Sequence, residues 1–137
     1  MRHWIYPANP KLYDVIGAFT KEDQVVWPMT SKVDIDDIVY IYCGAPHKQI
    51  CFKCQVADMN IPTEFAMKQA DHYIKEKKGQ APKRNFMLLK VLVEYDLSSA
   101  SPLSFGTLKA NGLKGSIMGP QCLENNPKLL EFIKDFN

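Results

Sequence analysis

A chain of 137 residues, 46% apolar and 23% charged, has the length of one ordinary domain and a globular composition, which excludes the disordered and fibrous classes. Seventeen basic against fifteen acidic residues leave a net charge of +2, so net charge announces no polyanionic partner and the distribution of charge has to carry that argument. No apolar run approaches the roughly 20 residues of a membrane-spanning helix, and Met1-Arg2-His3-Trp4-Ile5-Tyr6-Pro7 lacks the order of a signal peptide, so a soluble cytoplasmic protein with no membrane partner is expected.

His3 to Tyr6, closed by Pro7, reads as a first strand, and Asn9-Pro10 then predicts a helix start with Asn as cap and Leu12, Val15, Ile16 and Phe19 on one face. Gln24 to Trp27 is a second strand ended by Pro28. Ile38-Val39-Tyr40-Ile41-Tyr42-Cys43 is the strongest strand signal, and the turn Gly44 to Lys48 predicts a hairpin with Ile50 to Ala57. After Pro62, Thr63 caps a helix presenting Ala66, Ala70, Tyr73 and Ile74, and a lysine-rich segment follows it. Asn85 to Tyr95 predicts a long strand inside the sheet. Leu103 to Ala110 suits a short helix, Gly115 to Gln121 a strand or extended loop, and Asn126-Pro127 opens a last helix striped by Leu129, Phe132, Ile133 and Phe136. Hairpin-linked strands outnumber crossovers, so the fold class is α+β: a mixed sheet of five or six strands with peripheral helices, curved toward a barrel, in one domain over residues 1–137.

The chain holds no phosphate-binding glycine loop, and His3, His47 and His72 stand at no metal-ligand spacing, so neither a metal nor a cofactor is expected and no catalytic set is assigned. Cys51 and Cys54 match C-x-x-C, but strand alternation sends them to opposite faces, and all four cysteines are read as free thiols. Trp4, Tyr6, Trp27, Tyr40 and Tyr42 gather at or near strand ends, where pockets open. Aromatic faces there can sandwich a nucleobase, each stack contributing about 1–3 kcal/mol. Lys75, Lys77, Lys78, Lys83 and Arg84 form a basic run, with Lys109 and Lys114 a thinner second one.

Trp4-Ile5-Tyr6-Pro7, Val26-Trp27-Pro28-Met29-Thr30-Ser31, Asp36-Asp37-Ile38 through Gly44, and Gly119-Pro120-Gln121 before a closing helix together resemble an EVE domain. That family belongs to the PUA-like superfamily, beside YTH and ASCH domains. The resemblance implies a PUA-like mixed β-barrel and a nucleic-acid-binding module that reads a modified base, modified cytosine in DNA foremost and RNA as the other substrate, without chemistry on it. It implies a base flipped into an aromatic cage of Trp27, Tyr6 and Tyr42, with Ser31 and Gln121 bonding the base edge and Lys83 and Arg84 holding phosphate. A restriction nuclease or other effector is the implied partner. The sequence departs from the family where its usual glycine is Asp36, and where Pro28-Met29-Thr30-Ser31 replaces an Arg-Asn stretch. An ASCH-like enzyme acting on RNA or a nucleoside, and a protein-interaction module without ligand, are the alternatives.

Overall fold

In the computed structural model the described residues are 1–76, 85–98 and 101–136. Their elements follow in the order β1 (His3–Ala8), α1 (Val15–Lys21), β2 (Gln24–Pro28), β3 (Ile38–Cys43), β4 (Gln49–Ile61), α2 (Thr63–Ala70), β5 (Phe86–Glu94), α3 (Phe105–Ala110), β6 (Gln121–Cys122) and α4 (Pro127–Lys134). The strands make one six-stranded mixed sheet in the order β2-β5-β4-β3-β1-β6. Only β1 and β3 run parallel; the other neighbours are antiparallel.

The sheet is open, which corrects the expected barrel. The edge of β2 is occupied by a side chain: Gln69 of α2 accepts from the Val26 amide at 2.9 Å and donates to the Gln24 carbonyl at 2.9 Å. A carboxamide placed this way imitates one unit of a neighbouring strand and blunts the edge. At the far side β6 is only two residues long.

Strand alternation sorts the core into two layers. Trp4, Tyr6, Trp27, Val39, Ile41, Met87 and Leu89 pack on the first face with Val15, Ala18 and Phe19 of α1. Ile5, Tyr40, Tyr42 and Ile50 pack on the second with Leu108, Leu129 and Ile133. The pairing of β3 with β4 slips between Ile41 and Tyr42, so that Phe52 and Ile50 are paired and Cys51 is a bulge residue. The bulge resets the alternation: Cys51 and Cys54 both lie in the first layer, not on opposite faces. All four cysteines are free.

Asn9-Pro10 does not start the helix. Asn9 instead closes a turn, its side chain accepting from the Lys11 amide at 3.0 Å and its carbonyl from the Tyr13 amide at 3.2 Å. Asp14 caps α1 by accepting from the Gly17 amide at 3.0 Å. The later Asn-Pro behaves as expected, Asn126 capping α4 with Pro127 in its first turn.

Asp36 has φ of 72°, the left-handed conformation that glycine adopts freely. Asp tolerates it better than most residues, and glycine costs entropy in the unfolded chain. Asp36→Gly is therefore expected to stabilise the fold by about 0.5 kcal/mol, read as a higher urea midpoint at an unchanged slope.

Candidate functional site

At the end of β2 the Trp27 ring meets Tyr13 edge-on at 5.2 Å and Phe19 at 5.4 Å. Tyr13 is held there by its turn and by the exit of α2: the Asp14 amide donates to the Tyr73 carbonyl at 2.7 Å, the Lys75 amide to the Leu12 carbonyl at 2.8 Å, and Lys75 Nζ to the Pro10 carbonyl at 2.8 Å. Tyr73 stands 5.9 Å from the Tyr13 ring and donates its hydroxyl to Glu22 at 3.0 Å. The buried Tyr13 hydroxyl has no hydrogen-bond partner among the described residues. Burial pushes its pKa up, and Tyr73, Asp14 and Glu22 add to the shift, so it is a neutral donor.

Beyond Trp27 the chain crosses toward β1, where the hydroxyls of Ser31 and Tyr6 share a hydrogen bond. Trp27, Tyr6 and Ser31 are thus gathered on the first-face side. Tyr42 is not with them. It sits in the second layer, because β3 alternates and Val39, Ile41 and Cys43 take the first face. Gln121 is half-buried and directly opposite Ile5, so it too belongs to the second side. A single cage of Trp27, Tyr6 and Tyr42 with Gln121 at the base edge is therefore corrected: the sheet itself separates the two groups. Lys83 and Arg84 lie outside the described residues.

Trp27 itself is 8% exposed and Tyr6 2%. Their rings are covered, the indole of Trp27 by Tyr13 and Phe19.

A groove of about 450 Å³ opens where the parallel strands β1 and β3 end side by side. Ala8 pairs with Cys43, and the Gly44 amide donates to the Ala8 carbonyl at 2.9 Å, which brings Pro7, Asn9 and Lys11 against Gly44 and Ala45. Met118, 90% exposed, forms another part of the wall. The groove was not legible in the sequence, since nothing local announces that β1 and β3 are parallel. Among the described residues its lining carries one cation, Lys11, and no carboxylate.

A second cleft of about 830 Å³ lies between the end of α1 and β5, where Glu22, Asp23 and Glu94 outnumber Lys90. That balance repels a polyanion. Among the described residues no group of three or more His, Cys, Asp or Glu could hold a metal ion, and no helix is long and apolar enough to cross a membrane.

No protein-family model and no curated protein matches the chain. Among solved structures, two substituted forms of the ASCH protein from Zymomonas mobilis align over 98% and 99% of this chain and 95% and 99% of theirs, at TM-scores of 0.65 and 0.66 and 8% identity. The fold is ASCH-like. A protein from Pseudomonas syringae shares it at a TM-score of 0.66 and 13% identity over 97% of both chains. So does a hypothetical protein from Leishmania major, at 0.66 and 12% over 98% of this chain and 93% of that one. At such identities the likeness is one of fold. The solved structures support the fold alone, and the EVE resemblance rests on the motifs alone.

Proposed function

We propose that the protein binds nucleic acid and reads a modified base, modified cytosine in DNA foremost, without performing chemistry on it. In this reading the base is held on the first-face side, beside Trp27, Tyr6, Ser31 and Tyr13. The strand continues through the groove, where Lys11 meets phosphate. The observation that carries the reading is the Tyr13 hydroxyl, buried against Trp27 with no hydrogen-bond partner among the described residues. Such a donor costs the free protein about 1–3 kcal/mol, a cost that a polar base edge would recover on binding. The PUA-like resemblance and the ASCH-like fold agree with this reading, as does the position of the groove at strand ends. A separate nuclease or other effector would act on what is bound.

Tyr13→Phe tests it. The variant is expected to be more stable than the parent by about 1 kcal/mol, since an unsatisfied hydroxyl is gone. It is expected at the same time to bind more weakly in a screen of methylated, hydroxymethylated and unmodified oligonucleotides, single- and double-stranded. Stabilisation without any loss of binding would make the cluster plain packing. A salt titration of Lys11→Ala should lower the slope of log K against log salt by about 0.7–0.9, the value of one phosphate contact, for modified and unmodified ligands alike.

A further inference from the structure

We infer that the outer edge of β5 beyond Lys90 is a docking site for an extended, basic segment of a partner protein, which joins the sheet there as a further strand. β2 covers β5 from Phe86, opposite Pro28, to Lys90, opposite Gln24. β5 itself runs on to Glu94 with β4 on its other side. Among the described residues no strand lies against Val91 to Glu94 on the β2 side. The cleft of about 830 Å³ at the end of α1 lies there instead, and Val91, Leu92 and Glu94 form part of its wall.

The edge has backbone to offer. The Tyr95 amide donates to the Cys51 carbonyl at 2.9 Å, on the β4 side, so alternation turns the amide and carbonyl of Glu94 to the open side. The Val91 amide reaches away from β4 to the Asp23 carbonyl at 3.4 Å, which places the Val91 carbonyl on the open side as well. Between them the register with β4 skips Leu92, whose side chain is 42% exposed. Such an edge is a template for another strand. The other edges of the sheet are blunted: that of β2 by Gln69, and that of β1 beyond its short pairing with β6 by Pro7, which has no N–H.

Charge selects the occupant. Glu22, Asp23 and Glu94 line the cleft, with Lys90 the one cation among its described residues, so a basic segment is attracted and a polyanion is repelled. A second copy of this chain would bring the same acidic excess against its own, which disfavours pairing of two β5 edges. In an added strand alternate side chains share a face, so basic residues at every second position meet the acidic wall while main-chain bonds to Val91 and Glu94 fix the register. The cleft shares no lining residue with the groove at the ends of β1 and β3. Protein and nucleic acid would therefore be held at separate places, and the docking site does not rest on the function proposed above.

The probe is a capped peptide of alternating lysine and valine, titrated into the full chain and followed by amide hydrogen exchange and by the fluorescence anisotropy of a labelled copy. It is expected to bind with a Kd below about 1 mM and to slow exchange at the Glu94 amide by about tenfold or more. The same peptide with alternate backbone nitrogens methylated should bind at least about tenfold more weakly, since it cannot complete the ladder. A glutamate-valine peptide should be weaker by a similar factor, about tenfold. Asp23→Lys with Glu94→Lys, both at exposed positions, should keep the circular dichroism of the parent and exchange the preference between the two peptides. No binding of the lysine-valine peptide, equal binding of its methylated form, equal binding of the acidic one, or protection outside β5 would each overturn the inference. So would a dimer in sedimentation whose Glu94 amide is already protected without peptide, because the edge would then belong to a second copy.

Discussion

Trp27→Ala is expected to lower the stability of the protein by about 3–5 kcal/mol, a large share of the 5–15 kcal/mol that holds a domain together. The indole is 8% exposed and fixed between Tyr13 and Phe19, and Phe19 continues the stack to Phe52 at 5.0 Å. Truncation would leave a cavity that three rings on different elements cannot all relax to fill. Chemical denaturation with near-ultraviolet circular dichroism checks this: the midpoint should fall sharply and the aromatic signal should change with it. Alanine is for that reason a poor probe of base stacking here. Trp27→Phe keeps most of the volume and should retain the fold, while the loss of ring area should weaken a stacked base by up to about 1 kcal/mol. An alanine variant as stable as the parent would mean that the ring is pocket wall and not core.

The same residue shows how far the sequence could be read. Strand runs with local cause were legible: Ile38 to Tyr42 are all β-branched or aromatic, and Asn126-Pro127 states a helix start in two residues. Asn9-Pro10 has the same two residues and makes a turn, because Asp14 competes as cap and the exit of α2 pins the segment through Tyr73 and Lys75. The aromatic residues at strand ends were legible as a set, but not which face each takes. Tyr42 and Tyr6 look equivalent along the chain, and only the register of β1 with β3 puts one on each side of the sheet. The bulge at Cys51 is likewise a property of the pairing, so alternation counted along β4 misplaces Cys54. The open β2 edge was equally hidden: the bonds of Gln69 to Val26 and Gln24 span more than forty residues of sequence, and no local pattern announces them.

Asp37→Ala is expected to cost about 3–5 kcal/mol and to lower the thermal midpoint by roughly 10–15 °C. The carboxylate is 2% exposed and accepts from the Arg2 amide at 2.9 Å, the Trp4 indole N–H at 3.1 Å and the Asp34 amide at 2.9 Å. Removing it strands these donors together, two of them on backbone that cannot turn away. Burial by itself would raise the pKa of this group, but the Arg2 and Asp34 amides, the Trp4 indole and the Arg2 charge outweigh it and hold the carboxyl below 3.8. A depressed folded value fixes the sign: the stabilisation is fully present above the unfolded value of about 3.9 and is lost as pH falls through the folded one. The parent should therefore lose stability on acidification below about pH 4, and Asp37→Asn, which keeps the shape and removes the charge, should start lower and lose less over the same interval. Urea midpoints measured from pH 6 downward decide it. Parallel curves for parent and Asp37→Asn would show that Asp37 is not the group whose protonation loosens the junction of β1 and β3.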